Sequence, residues 1–224
     1  MNRRRVLGVG ATAGLATVAG CLTGALEDDT AASVVLESPG DDMRGDPSYP
    51  TYGEAFPSFE LEDPLAETNV DVGALDDCIV CTMFFASCPA ECVPLLNAIT
   101  TVQTNTLERG IDDGTRFLAI TFDPERDTAD SLRDHADLMG VDLEAGNWHY
   151  LRPADADEAT VVVDEQLGVP FEREELGGDD YDFLHITVTF LVNPDGYVER
   201  TYRGDDPDTA RITSDLETVL ERWE

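Results

Sequence analysis

The sequence contains no lysine: all 14 of its basic residues are arginines, set against 47 aspartates and glutamates, for a formal charge of -33 over 224 residues. A chain so short of cations excludes nucleic acid as a partner, because phosphates need basic contacts. Histidine is scarce as well, with three in all, so any imidazole chemistry has few places to sit. The acidic residues run along the whole length beside 42% hydrophobic residues, which excludes a disordered acidic tail and leaves enough apolar material for a core. Charge of one sign at this density self-repels in dilute buffer and is screened in concentrated salt, where the Debye length falls to about 3 Å at 1 M. The composition reads as adaptation to high salt, as in an extreme halophile, and the acidity itself implies no partner.

A long apolar run is also missing at the N-terminus. Val6–Gly20 is apolar but rich in small residues and falls short of the roughly 20 residues that span a bilayer. Arg3, Arg4 and Arg5 ahead of Val6 and Leu7 resemble a twin-arginine export signal, and Val18-Ala19-Gly20-Cys21 resembles a lipobox with Cys21 as the lipidated residue. A plain uncleaved anchor is the alternative, and both place the bulk of the chain outside the cytoplasm, where thiols can oxidise. The expected organisation is a signal segment over 1–21, a flexible acidic tether over 22–52, and one domain over 53–224. The expected location is the outer face of the cytoplasmic membrane, held by a lipid anchor.

Within 53–224, apolar runs alternate with amphipathic ones. CIVCTMFF and TRFLAITF predict buried strands. PLLNAITTVQTNTLERG predicts a helix ending at Gly110, and DTADSLRDHADLMG one capped by Asp127 or Thr128 and stopped by Gly140. A short strand near His149-Tyr150-Leu151 and a helix through EATVVVDEQLG follow. ITVTFLV and YVERTYR then flank the hairpin turn Asn193-Pro194-Asp195-Gly196, and a last helix runs from about Asp208 to Trp223. Strands alternating with helices, then a terminal hairpin and helix, predict an α/β fold with a central mixed sheet flanked by helices, in thioredoxin-like order.

Cys88 and Cys92, in FFASCPAECVP, fall between the first buried strand and the first long helix. If the chain turns helical from Pro89, a spacing of four places both thiols on one face with Cβ atoms about 5 to 6 Å apart. A helix N-terminus favours thiolates. Two adjacent soft anions bind a soft cation or oxidise to a disulfide, and the spacing leaves both chemistries open. Cys78 and Cys81 also have the spacing of a redox or zinc pair, but on a strand residues three apart point to opposite faces, which favours small core residues. His135, in a charged helix, and His149, at a strand start, read as structural.

Three stretches together, FFASCPAEC at 84–92, TFDPERDT at 121–128 and DFLHITVTFLVNPDG at 182–196, resemble the Sco/SenC family over most of 53–224. The resemblance implies a thioredoxin-like fold and a copper ion, Cu(I) or Cu(II), held by Cys88, Cys92 and His185, with Cys88 and Cys92 also the redox pair if the protein has that activity. It further implies a metallochaperone role in assembling the copper centre of cytochrome c oxidase, with oxidase subunit II or a similar copper protein as recipient. A thiol-disulfide oxidoreductase acting on an exported protein or an oxidase subunit is the alternative. Thiolates select Cu(I), and an added imidazole suits both oxidation states; a closed zinc site would want a fourth ligand. Leu184 stands where the family usually has Asp, and Val93 separates Cys92 from Pro94. Asp123 and Asp182 are the carboxylates that could stand behind the ligands instead.

Overall fold

The computed structural model describes residues 33–40, 46–88, 90–178 and 180–223. The expectations for 1–21, the lipidation of Cys21 included, fall on residues outside those described, as does Pro89. Among the described residues no helix is long and apolar enough to cross a membrane.

The domain opens with a hairpin of β1 (Glu60–Asp63) and β2 (Thr68–Asp71). β3 (Cys78–Phe84) is buried at every residue, as a strand covered on both faces must be. It pairs in parallel with β4 (Thr115–Thr121), which pairs in parallel with β5 (Trp148–Leu151). On its other edge β3 pairs antiparallel with β8 (Val188–Val192), and β8 with β9 (Val198–Arg203). The central mixed sheet therefore runs β5-β4-β3-β8-β9. Between β7 and β8 lie Ile186 and Thr187, so the strand predicted from ITVTFLV starts two residues late.

α1 (Cys92–Arg109) buries Leu95, Leu96, Ile99 and Val102 almost completely, each contributing about 1.5–3 kcal/mol of apolar transfer. It ends where Gly110 adopts φ 68° and returns its N–H to the Leu107 carbonyl, a left-handed cap that costs glycine no Cβ clash. α2 (Ala129–Met139) stops at Gly140 in the same way. Its N-cap is Thr128, whose side chain accepts from the Ser131 N–H, which leaves Asp127 free to turn inward. A short helix, α3 (Ala156–Ala159), widens into a π-helical stretch at Thr160–Gln166. α4 (Thr209–Leu220) packs on α1 through Asn105–Thr213 and Arg109–Glu217.

The β1–β2 hairpin was not predicted from the sequence, and two further features were not legible there. β6 (Phe171–Gly177) and β7 (Asp180–His185) form a separate two-stranded sheet; β6 is exposed along most of its length and acidic, so no buried face imposes alternation. The stretch expected to be a flexible tether, 22–52, is held against the domain at two points among its described residues. Leu36 and Tyr49 join the core. The buried Glu199 carboxylate accepts from the N–H groups of Val35 and Leu36 at 2.8 and 2.9 Å and from Asn193 at 2.7 Å, because a buried carboxylate needs donors and this strand of backbone supplies them.

Candidate metal centre

The chain leaves β3 at Phe84 and reaches Cys88 through a loop that is tied down from the neighbouring segment. Asp127 accepts from the Ala86 N–H at 2.9 Å and from the Thr121 hydroxyl, and the Phe122 N–H donates to the Phe84 carbonyl at 3.1 Å. α1 starts at Cys92, so only the second thiol is helical and Cys88 stands on the turn before it. The turn brings the sulfurs together all the same: the Cys92 N–H donates to the Cys88 sulfur at 3.3 Å.

His185 arrives from the end of β7, 93 residues beyond Cys92, with Nε2 3.9 Å from the Cys92 sulfur. The two sulfurs and one imidazole nitrogen all lie within 4.8 Å of one another, with both cysteines buried and the histidine half-buried. The Ile186 carbonyl, 3.2 Å from Nδ1, can only accept, so Nδ1 carries a proton, and Nε2, which faces the sulfurs, is the nitrogen that a metal would take in place of any proton there. Phe122 and Phe85 wall the imidazole at ring-centroid distances of 5.1 and 6.0 Å.

The two thiols are electrostatically unequal. The hydrogen bond from the Cys92 side chain does most to lower the Cys88 value; burial opposes it, while His185 and the N–H groups of Cys92 and Ala90 add to it, bringing Cys88 down to about 4. The same hydrogen bond, then burial, pushes the Cys92 thiol up. For His185 burial works downward, but the Cys88 sulfur, the Ile186 carbonyl and Glu91 outweigh it and raise the value. The resting pair is thus one thiolate and one thiol, and a metal binding both must displace the Cys92 proton. Both cysteines are free of disulfides. Two soft sulfurs and one imidazole make a donor set suited to copper, and the fourth protein ligand of a closed zinc site is missing from this cluster among the described residues.

Cys78 and Cys81 stay apart from this cluster as buried residues of β3, with Cys78 pushed up to about 12 and Cys81 higher still by burial. His135 is buried against Phe84 with Nδ1 3.1 Å from the Tyr150 hydroxyl, and His149 pairs with Asp63 at 2.9 Å. Asp123 accepts from the Tyr181 hydroxyl at 2.8 Å and pairs with Arg126. Asp182 accepts from the Phe183 N–H at 2.9 Å, and the alternation of β7 places it on the face opposite His185. Neither carboxylate hydrogen-bonds the imidazole. The aromatic wall of Phe85, Phe122, Phe171 and Phe183 was not legible in the sequence, because its members come from four separate segments with no shared period.

No curated protein matches the chain by sequence search. Solved structures do match its fold. A SCO1/SenC family lipoprotein from Bacillus anthracis str. Ames is 17% identical, with a TM-score of 0.64 over 77% of this chain and 96% of that one. BsSco, a member of the Sco family of cytochrome c oxidase assembly proteins in which a disulfide switch was identified, is 21% identical, with a TM-score of 0.62 over 79% and 96%. ScoI from Bradyrhizobium japonicum, with copper bound, is 20% identical, with a TM-score of 0.61 over 75% and 100%. The family model for SCO1/SenC matches residues 54–221, a span that begins ahead of β1, takes in the whole sheet and closes after α4. The fold and this match agree along the whole domain: the chain belongs to the SCO1/SenC family.

Proposed function

We propose that the protein binds one copper ion through Cys88, Cys92 and His185 and delivers it to the copper centre of cytochrome c oxidase, with subunit II or a similar copper protein as recipient. The observation that carries this reading is the convergence of two sulfurs and an imidazole nitrogen within 4.8 Å of one another. Three soft or borderline donors so placed hold Cu(I) and Cu(II) alike. The copper-bound ScoI and the assembly protein BsSco support it by likeness of fold. The domain is read as exported and held to the outer face of the membrane by lipid on Cys21, ahead of an acidic linker.

The low value of Cys88 favours a second reading, thiol-disulfide exchange. In it the Cys88 thiolate attacks one sulfur of a target disulfide and expels the other as a thiolate. Cys92, on losing its proton, then attacks the Cys88 sulfur and releases the target's remaining thiolate. The target gains two electrons and the pair becomes a disulfide. That reaction has no need of His185.

Copper titration of the reduced protein in concentrated salt, followed by absorption and electron paramagnetic resonance, separates the two. Thiolate-to-Cu(II) charge transfer that is lost in both Cys88→Ala and His185→Ala is the outcome expected of the copper site. Absence of stoichiometric copper in the parent protein rejects it and leaves thiol exchange.

A further inference from the structure

Among the described residues no carboxylate hydrogen-bonds His185. Its Nδ1 proton goes to the carbonyl of the next residue, Ile186, which fixes the tautomer but says nothing about where the imidazole lies relative to the thiols. That placement depends on the β6–β7 hairpin, a sheet separate from the central one.

The inward face of β7 carries Tyr181, Phe183 and His185, two residues apart. Phe183 packs on Phe85 and Phe122 at centroid distances of 5.3 and 5.2 Å, but aromatic packing of this kind tolerates sliding. The directional contacts are at Tyr181. Its backbone carbonyl accepts from Arg126 Nη1 at 2.8 Å, and its hydroxyl donates to Asp123 at 2.8 Å. The Arg126 guanidinium carbon stands 3.8 Å from the centre of its ring, and that of Arg173 stands 3.5 Å away. Among the described residues, the other hydrogen bonds from the hairpin to the body, apart from the sulfur contact of His185, run from Arg173 and the Tyr181 hydroxyl to Glu125. Every one of these ends in the segment 123–126, and that segment continues directly into Asp127, whose carboxylate fixes the Ala86 N–H in the cysteine loop. One short segment therefore grips both the loop bearing Cys88 and the strand bearing His185.

We propose that Arg126 and Tyr181 are positioning residues for the third ligand: they latch the hairpin to the 123–127 segment and so set the distance between the His185 imidazole and the thiols. A guanidinium is suited to this, since its planar fork bonds a carbonyl and a carboxylate while its face stacks on a ring. The proposal rests on the copper reading for its purpose, but the latch itself is a property of the metal-free chain.

The test exploits the three histidines, of which His135 and His149 lie away from the hairpin. In reduced, metal-free protein labelled at histidine, the parent, Arg126→Gln, Tyr181→Leu and Tyr181→Phe are compared by imidazole NMR at one pH. The latch is supported if Arg126→Gln and Tyr181→Leu move the His185 signals toward those of free histidine and leave His135 and His149 in place, and if Tyr181→Phe, which loses the hydroxyl's bonds but keeps the ring against Arg126, moves the His185 signals less than Tyr181→Leu. With copper, the first two variants should lose Cu(II) affinity on the order of 10- to 100-fold, as outer partners of metal ligands typically do, while Cu(I) stays on the two thiolates. His185 signals unchanged in both variants would overturn the proposal. So would all three histidines shifting together, since the pair would then govern the whole fold and not the hairpin. A parent that binds no copper, with the NMR pattern as expected, would reject the copper reading and leave the latch standing.

Discussion

The backbone N–H of Cys92 points at the sulfur of Cys88 from 3.3 Å. An amide aimed at a sulfur stabilises charge there, and here it adds to the larger effect of the hydrogen bond from the Cys92 side chain, which makes the members of the pair unequal. The first residue of a helix thereby prepares its neighbour on the preceding turn as the thiolate.

That inequality is measurable in the reduced protein by thiolate absorbance in the ultraviolet. Cys88 falls from 9.0 to about 4, while Cys78, Cys81 and Cys92 are all raised. A single thiolate should therefore appear with a midpoint near pH 4, and Cys88→Ser should abolish it. Because the folded value is depressed, the stabilisation from this group is complete above the unfolded value of 9.0 and is lost as pH falls toward about 4. A parent protein with no thiolate at pH 6 would refute the assignment.

Asp127 should show the opposite sign. Burial, against hydrogen bonds from Thr121 and Ala86, raises its value from 3.8 to about 6, so the folded state holds this proton more tightly than the unfolded one. Its contribution to stability is present below 3.8 and declines as pH rises through about 6, by up to about 3 kcal/mol in all. Denaturant unfolding of Asp127→Asn, which keeps an acceptor for the Ala86 N–H, should lack that decline. Equal pH slopes in parent and variant between pH 4 and 6 would count against it.

Glu199 is fully buried and holds the N–H groups of Val35 and Leu36. Glu199→Ala leaves those donors without their acceptor, at about 1–3 kcal/mol, and should free the segment around 33–38 from the sheet. Hydrogen exchange at Val35 and Leu36 should accelerate together, and proteases should cut there first. Protection that survives the substitution would show that other contacts hold the segment.

The charge balance of -33 predicts that salt stabilises the fold. Unfolding followed at 0.1 M and at 1 M KCl, where the Debye length drops from about 10 to about 3 Å, should show a higher midpoint at the higher salt. A midpoint independent of salt would remove the case for adaptation to concentrated salt.

Local chemistry is what the sequence by itself determined. The left-handed stops at Gly110 and Gly140, the largely apolar β3 and the Asn193–Gly196 turn depend on neighbours a few residues away, so short patterns announce them. The spacing of Cys88 and Cys92 made a paired-thiol site legible for the same reason, although the helix starts at the second cysteine and not before it. Only tertiary structure decided which long-range partners meet. It brought His185 to the sulfurs across 93 residues and turned Asp127 inward while Thr128 took the cap. It also laid the segment at Val35 onto Glu199. None of these has a periodic signature, because each is settled by the need of a buried polar group for a partner, and that partner is chosen by the packed fold and not by distance along the chain.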